Sequence, residues 1–123
     1  MSSVLIVRDA QRETLIEVRL DRLRAWLRPH LREHFAGRLA GKDDDELGAL
    51  IDAGVTRARA HGASRSQTIC KFVHLWVIFG EGLEALPWAA QTLSDAAIPD
   101  HDTRIEVLSL RARDALSSKE GAR

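Results

Sequence analysis

The sequence predicts an all-α domain, a single compact bundle of about five helices around a buried central helix at residues 65–79. Three observations carry this. Between Ile69 and Phe79 only Lys71 and His74 are polar, and a helix apolar on nearly every side must be buried on nearly every side. On both sides of that stretch, apolar residues recur at spacings of three and four, the period of helices with one buried face. No run alternates as a half-buried strand does, and no repeat or linker divides the chain. At 123 residues one core can form without staples, and residues 1–116 read as one domain ahead of a frayed tail at 117–123.

In chain order, Val4 to Val7 is a short arm or a staple onto the first helix, with Asp9 as N-cap. Ile16, Leu20, Leu23, Leu27 and Leu31 then mark one face, which Leu15 and Trp26 widen. Pro29 lacks an amide hydrogen and predicts a kink or a split, with Gly37 and Gly41 closing the segment. Asp43 to Glu46 is an acidic helix start, favoured by the helix dipole. Leu47, Leu50, Ile51, Gly54, Val55 and Ala58 follow it on one face, with Gly62 as a left-handed stop. Ser64 and Gln67 match a capping box for the central helix, which ends at Gly80. A short acidic loop, Gly80 to Leu86, leads to Pro87 as first residue of a brief helix carrying Trp88 and Leu93. After the turn Ile98-Pro99-Asp100, a last helix presents Ile105, Leu108, Ala112 and Leu116.

Charge narrows the function classes. Lys plus Arg is 18 and Asp plus Glu is 18, so no net field points to nucleic acid or an anionic membrane. The distribution is uneven: residues 1–42 hold nine basic and five acidic side chains, residues 81–102 five acids and no Lys or Arg. Opposed patches on a neutral protein suit a protein partner, or a second copy of the chain. One cysteine, Cys70, allows no internal disulfide and fits a reducing cytoplasm. The apolar run at 69–79 is about half of the roughly 20 residues that a membrane span needs.

Several constellations invite chemistry. His30-Leu31-Arg32-Glu33-His34 spells the H-x-x-E-H of inverted zinc peptidases, in which two histidines hold the metal and the glutamate activates water. His30, Glu33 and His34 are therefore candidate ligands, against the simpler reading of a charged outer face with Leu31 turned inward. Cys70 and His74, one turn apart, suit a thiolate–imidazole pair or half a metal site. No carboxylate in their helix orients the imidazole, so core packing is the preferred reading. Arg24, Arg28 and Arg32 form a row one turn apart: a solvated face, a surface for an acidic protein, or the footprint of a nucleic-acid-binding regulator. Trp88 behind the acidic loop is core or an interface anchor, which makes Glu81, Leu83, Glu84 and Trp88 partner-binding candidates beside the arginine row. No phosphate cradle, nucleophile elbow or paired carboxylates imply an enzyme or a cofactor.

The order of features resembles a family. It comprises Leu31-Arg32-Glu33-His34-Phe35, Leu50-Ile51-Asp52-Ala53-Gly54-Val55, a serine-initiated helix with Cys70 leading to Phe79-Gly80, then Leu86-Pro87-Trp88-Ala89, Leu93-Ser94-Asp95 and Arg104-Ile105. Together these resemble small helical bacterial proteins encoded beside type VI secretion spike and toxin genes, with a loop before Pro87 shorter than in that pattern. The resemblance implies a cytoplasmic partner-binding accessory protein. That is an adaptor or chaperone holding a toxin or spike component, or alternatively an immunity protein that blocks the toxin.

Overall fold

The computed structural model describes the backbone of residues 2–121 and the side chains of residues 12–117. Six α-helices follow in order: α1 (Ser2–His34), α2 (Ala36–Leu39), α3 (Asp44–Ala60), α4 (Ser66–Phe79), α5 (Pro87–Leu93) and α6 (His101–Gly121). A 3₁₀ helix, Gly80–Ala85, joins α4 to α5, and there is no strand among the described residues. The all-α class and the central helix are as the sequence dictates. Among the described residues no helix is long and apolar enough to cross a membrane.

The ends of the chain differ from the sequence expectation. The backbone of α1 is helical from Ser2, so Val4–Val7 is no extended arm, and Asp9, expected as the N-cap, lies inside the helix instead. At the other end α6 continues to Gly121, through most of the stretch read as a frayed tail. Pro29 does not split α1, which runs unbroken for 33 residues to His34. Pro29 and Ala25, whose carbonyl loses its partner, both lie on the exposed side, where water replaces the missing bond. The break comes instead at Phe35, before the single turn of α2 buries Leu39.

Caps decide the remaining boundaries. Asp43 heads α3 in a reciprocal box: the Glu46 amide donates to Asp43 Oδ1 at 2.8 Å, and the Asp43 amide to Glu46 Oε1 at 3.5 Å. Gly62 closes the α3–α4 turn at φ +89° as expected, and a Cβ there would lie 2.5 Å from His101 Cγ. The capping box expected of Ser64 and Gln67 is absent. Ser66 opens α4, and its cap comes from another helix. Asp102, in the first turn of α6, accepts from the Ser64 amide (3.0 Å), the Arg65 amide (3.2 Å) and the Ser64 hydroxyl (2.8 Å). Burial is the largest influence on this carboxyl and pushes its pKa up, but the bonds from Ser64 and Arg65 outweigh it and hold the carboxyl below its ordinary range.

Around α4, Ile69, Phe72 and Val73 are fully buried. α3 lies against it through Gly54, where a Cβ would stand 3.2 Å from Val73 Cγ2 and 3.5 Å from the Trp76 ring. α6 adds Ile105 and Leu108, and α1 adds Leu20, Leu27 and Leu31. α1 and α4 run parallel, since Arg19 meets Ser64 just ahead of α4 and His30 meets His74. α4 is not sealed on every side, however. Lys71 is exposed, and Cys70 and His74 are half-buried along the seam left beside α1.

Two predictions follow from this packing. Trp76→Ala should cost about 3–5 kcal/mol, because the ring fills the α3–α4 contact over Phe72; chemical denaturation measures it. Asp102→Asn should cost about 1–3 kcal/mol at pH 7, the range for leaving part-buried donors with a poorer acceptor. With its folded pKa below the ordinary 3.8, Asp102 contributes this stability above that pH and loses it as acid protonates the folded carboxyl. The gap between the two proteins should therefore close in strong acid.

Candidate functional site

The seam between α1 and α4 gathers the chain's most chemically distinctive side chains. His30 Nε2 and His74 Nε2 face each other at 3.0 Å, one imidazole donating to the other. The His34 ring lies 4.4 Å from that of His30, and Phe35 packs at 5.5 Å on His74. On its outer face His30 stacks against Trp26, with centroids 4.3 Å apart and planes at 21°. Burial lowers the pKa of His74, and His30 and His34 lower it further, so His74 is neutral at pH 7. Below the pair, Leu23, Trp26, Gln67, Cys70 and Lys71 line a shallow groove of about 450 Å³.

Trp26 belongs to a surface that the sequence reading placed inside. Leu15 is 70% exposed, Trp26 53% and Val18 43%, so Leu15 and Trp26 do not widen the buried face. At about 100° per residue, Leu15, Val18, Arg22 and Trp26 fall within an arc of about 80°. That arc is centred about 140° from the one shared by Ile16, Leu20, Leu23, Leu27 and Leu31. The signal was therefore in the spacing, as a second stripe on the same helix.

The acidic loop is not free to reach outward. Leu83 is fully buried beneath the 3₁₀ helix and offers nothing to a partner. Glu84 is held by Arg57, whose Nε donates to Oε1 at 2.9 Å and whose Nη2 donates to Oε2; His61 Nε2 meets Oε2 at 2.5 Å. The Arg57 hydrogen bond, against the cost of burial, keeps Glu84 ionised well into acid. Trp88 is half-buried, edge-on to Phe79 at 5.6 Å. Glu81 alone of the four is exposed, at the rim of a groove between α3 and α4 floored by Ala53 and Trp76.

The arginine row is likewise turned to the chain itself. Arg24 Nε lies 3.0 Å from Asp52 Oδ1, and Arg24 Nη1 donates to Asp21 Oδ1. Arg28 donates to the Asp44 carbonyl at 3.1 Å, its guanidinium lying over Gly48. Arg32 reaches both the Leu39 carbonyl and the Asp44 carboxylate. These guanidinium groups stitch α1 to α2 and α3.

The zinc-peptidase spacing does not become a zinc site. His30 turns inward to His74, while Glu33 and His34 are exposed. Among the described residues no group of three or more His, Cys, Asp or Glu side chains is placed to hold a metal ion. Cys70 and His74 share the seam, but burial pushes the Cys70 thiol up, away from the thiolate that a nucleophile needs. No protein-family model, curated protein or solved structure matches the chain.

The raised thiol gives a direct measurement. At pH 7.5, Cys70 in the folded protein should react with an aromatic disulfide reagent at least about tenfold more slowly than in the unfolded chain, because nucleophilicity follows the thiolate fraction and access. Equal rates would mean that the seam stands open.

Proposed function

We propose that this chain is a non-enzymatic, protein-binding accessory factor that docks its partner on the outer stripe of α1. The observation that carries the reading is the exposure of Leu15, Val18 and Trp26 on one face of a helix whose opposite face is core. Large apolar side chains aligned along about 16 Å of helix form a surface suited to an apolar groove or a second helix. Tryptophan is the residue most enriched at the energetic centre of such interfaces. Arg22, exposed within the stripe between Val18 and Trp26, asks for a carboxylate at the matching point of the partner.

The resemblance to proteins encoded beside type VI secretion genes supports a toxin or a spike component as that partner, with this chain as its adaptor or chaperone. An immunity protein is the alternative role for the same surface. Loss of toxin export on deleting the gene supports the adaptor, and self-intoxication supports immunity.

The test is co-expression with the products of the flanking genes, followed by affinity measurement at pH 7.5. Trp26→Ser and Leu15→Ser should leave the melting temperature within a few degrees, since both side chains are largely exposed. Trp26→Ser should weaken the complex by more than about tenfold, the scale of a hot-spot residue. A complex that survives both substitutions places the interface elsewhere, and the absence of any complex removes the accessory-factor reading.

A further inference from the structure

We propose that His30 and His74 form a proton-sensitive latch between α1 and α4 that seats Trp26, so that acidification unseats the docking stripe. Its connection to docking rests on the partner-binding reading of α1; the latch itself does not.

The number of ring protons decides whether this contact holds. Two neutral imidazoles carry two, and one Nε2–H donates to the bare Nε2 opposite, 3.0 Å away. With three, an imidazolium donates to the remaining imidazole and the bond persists. With four, both facing nitrogens carry hydrogen and both rings are cations, so the contact becomes repulsive and neither N–H has an acceptor. The latch therefore survives one added proton and fails at the second.

The surroundings offer no relief. His34 stands beside His30 along α1. Lys71 and Cys70 lie in the preceding turn of α4, and Arg38 donates to the Ile78 carbonyl one turn further on. Phe35 closes the side toward α2. Glu33, the acid nearest in sequence, is exposed, and among the described residues neither imidazole is paired with a carboxylate. Added charge in the seam thus finds no carboxylate among these neighbours. The lowered pKa of His74 agrees with this. Its sign is that of a base which the folded state keeps neutral: stability is full above the unfolded value near 6.5 and is lost as pH falls below it.

Trp26 links the latch to the surface. Its ring lies on His30, so His30 must hold its place for Trp26 to stand where it does. When the pair separates, the tryptophan loses the ring beneath it.

The experiment follows stability and tryptophan emission between pH 7.5 and 5 in the wild type, His30→Gln and His74→Gln. Relative to His30→Gln, the wild type should lose roughly tenfold in its folding constant across that range. His30→Gln is the decisive variant, because it leaves His74 on the same helix but gives its Nε2–H an amide oxygen to meet. The emission of Trp26, isolated by comparison with Trp26→Phe, should change with pH in the wild type and stay flat in His30→Gln. His74→Gln should flatten both profiles and stands in if the first variant does not fold. A wild-type profile retained in His30→Gln would overturn the latch. So would a zinc-induced rise in melting temperature that needs both histidines, which makes the pair a metal clamp. These readouts need no partner, so their failure leaves the docking reading intact. A missing complex at pH 7.5 removes the docking reading and leaves the latch.

Discussion

One carboxylate holds the two halves of this fold together. Asp102 belongs to the first turn of α6, yet two amides and a hydroxyl at the start of α4 converge on it. Its charge stands at the positive ends of two helix dipoles at once. A buried carboxylate is costly unless such donors meet it, and these amides would be orphaned without it. The geometry closes only if the α3–α4 turn lies directly on α6. That is why Gly62 sits in the left-handed region with no room for a Cβ against His101. Asp102 thereby fixes where the central helix begins, and α5 is fixed in turn by Arg104, which donates to the Ile98 and Leu93 carbonyls.

With its start fixed, α4 presents two unlike flanks. Toward α3 the contact is made by small residues, Ala53 and Gly54, against Val73 and Trp76. Toward α1 the helices run parallel, and the seam keeps Cys70, His74 and Lys71 at partial exposure. Placing an imidazole in so apolar a helix demands a hydrogen-bond partner. The chain supplies it from α1 as a second imidazole, where a carboxylate would have served as well and would have held His74 cationic. The choice of histidine makes this contact depend on the proton count of the pair, and Trp26 is stacked on it.

The helical period showed which segments fold and which positions reach the core: Leu20, Leu27 and Leu31 on α1, Leu47, Ile51 and Val55 on α3, and Ile105 and Leu108 on α6 are all buried. Local chemistry also placed Asp43, Gly62 and Pro87 at helix ends. What the chain did not disclose were pairings between residues distant along it. Ser64 looked like its own helix's cap because the motif is local, whereas its acceptor lies 38 residues away. Glu84 looked free because its partners, Arg57 and His61, belong to another helix. Leu15 and Trp26 were assigned to the core because they are large and apolar, although their angular position already set them apart from Leu20 and Leu27. Spacing fixes direction on a helix more reliably than side-chain type does.

The internal use of charge bears on how a partner is recognised. Arg24 and Arg32 meet Asp52 and Asp44, and Arg57 meets Glu84, so part of the charge is paired across helix contacts. Exposed pairs of this kind add little stability, about 0–1 kcal/mol each, but they leave little net field to steer an encounter. On the proposed reading, a partner would be selected by fit to the apolar stripe of α1 and by what it offers Arg22, with complex lifetime rather than association rate carrying the affinity. In such an interface a single seated tryptophan matters more than several surface charges. By stacking Trp26 on the His30–His74 pair, the chain places a proton-dependent contact beneath the side chain on which that lifetime would depend.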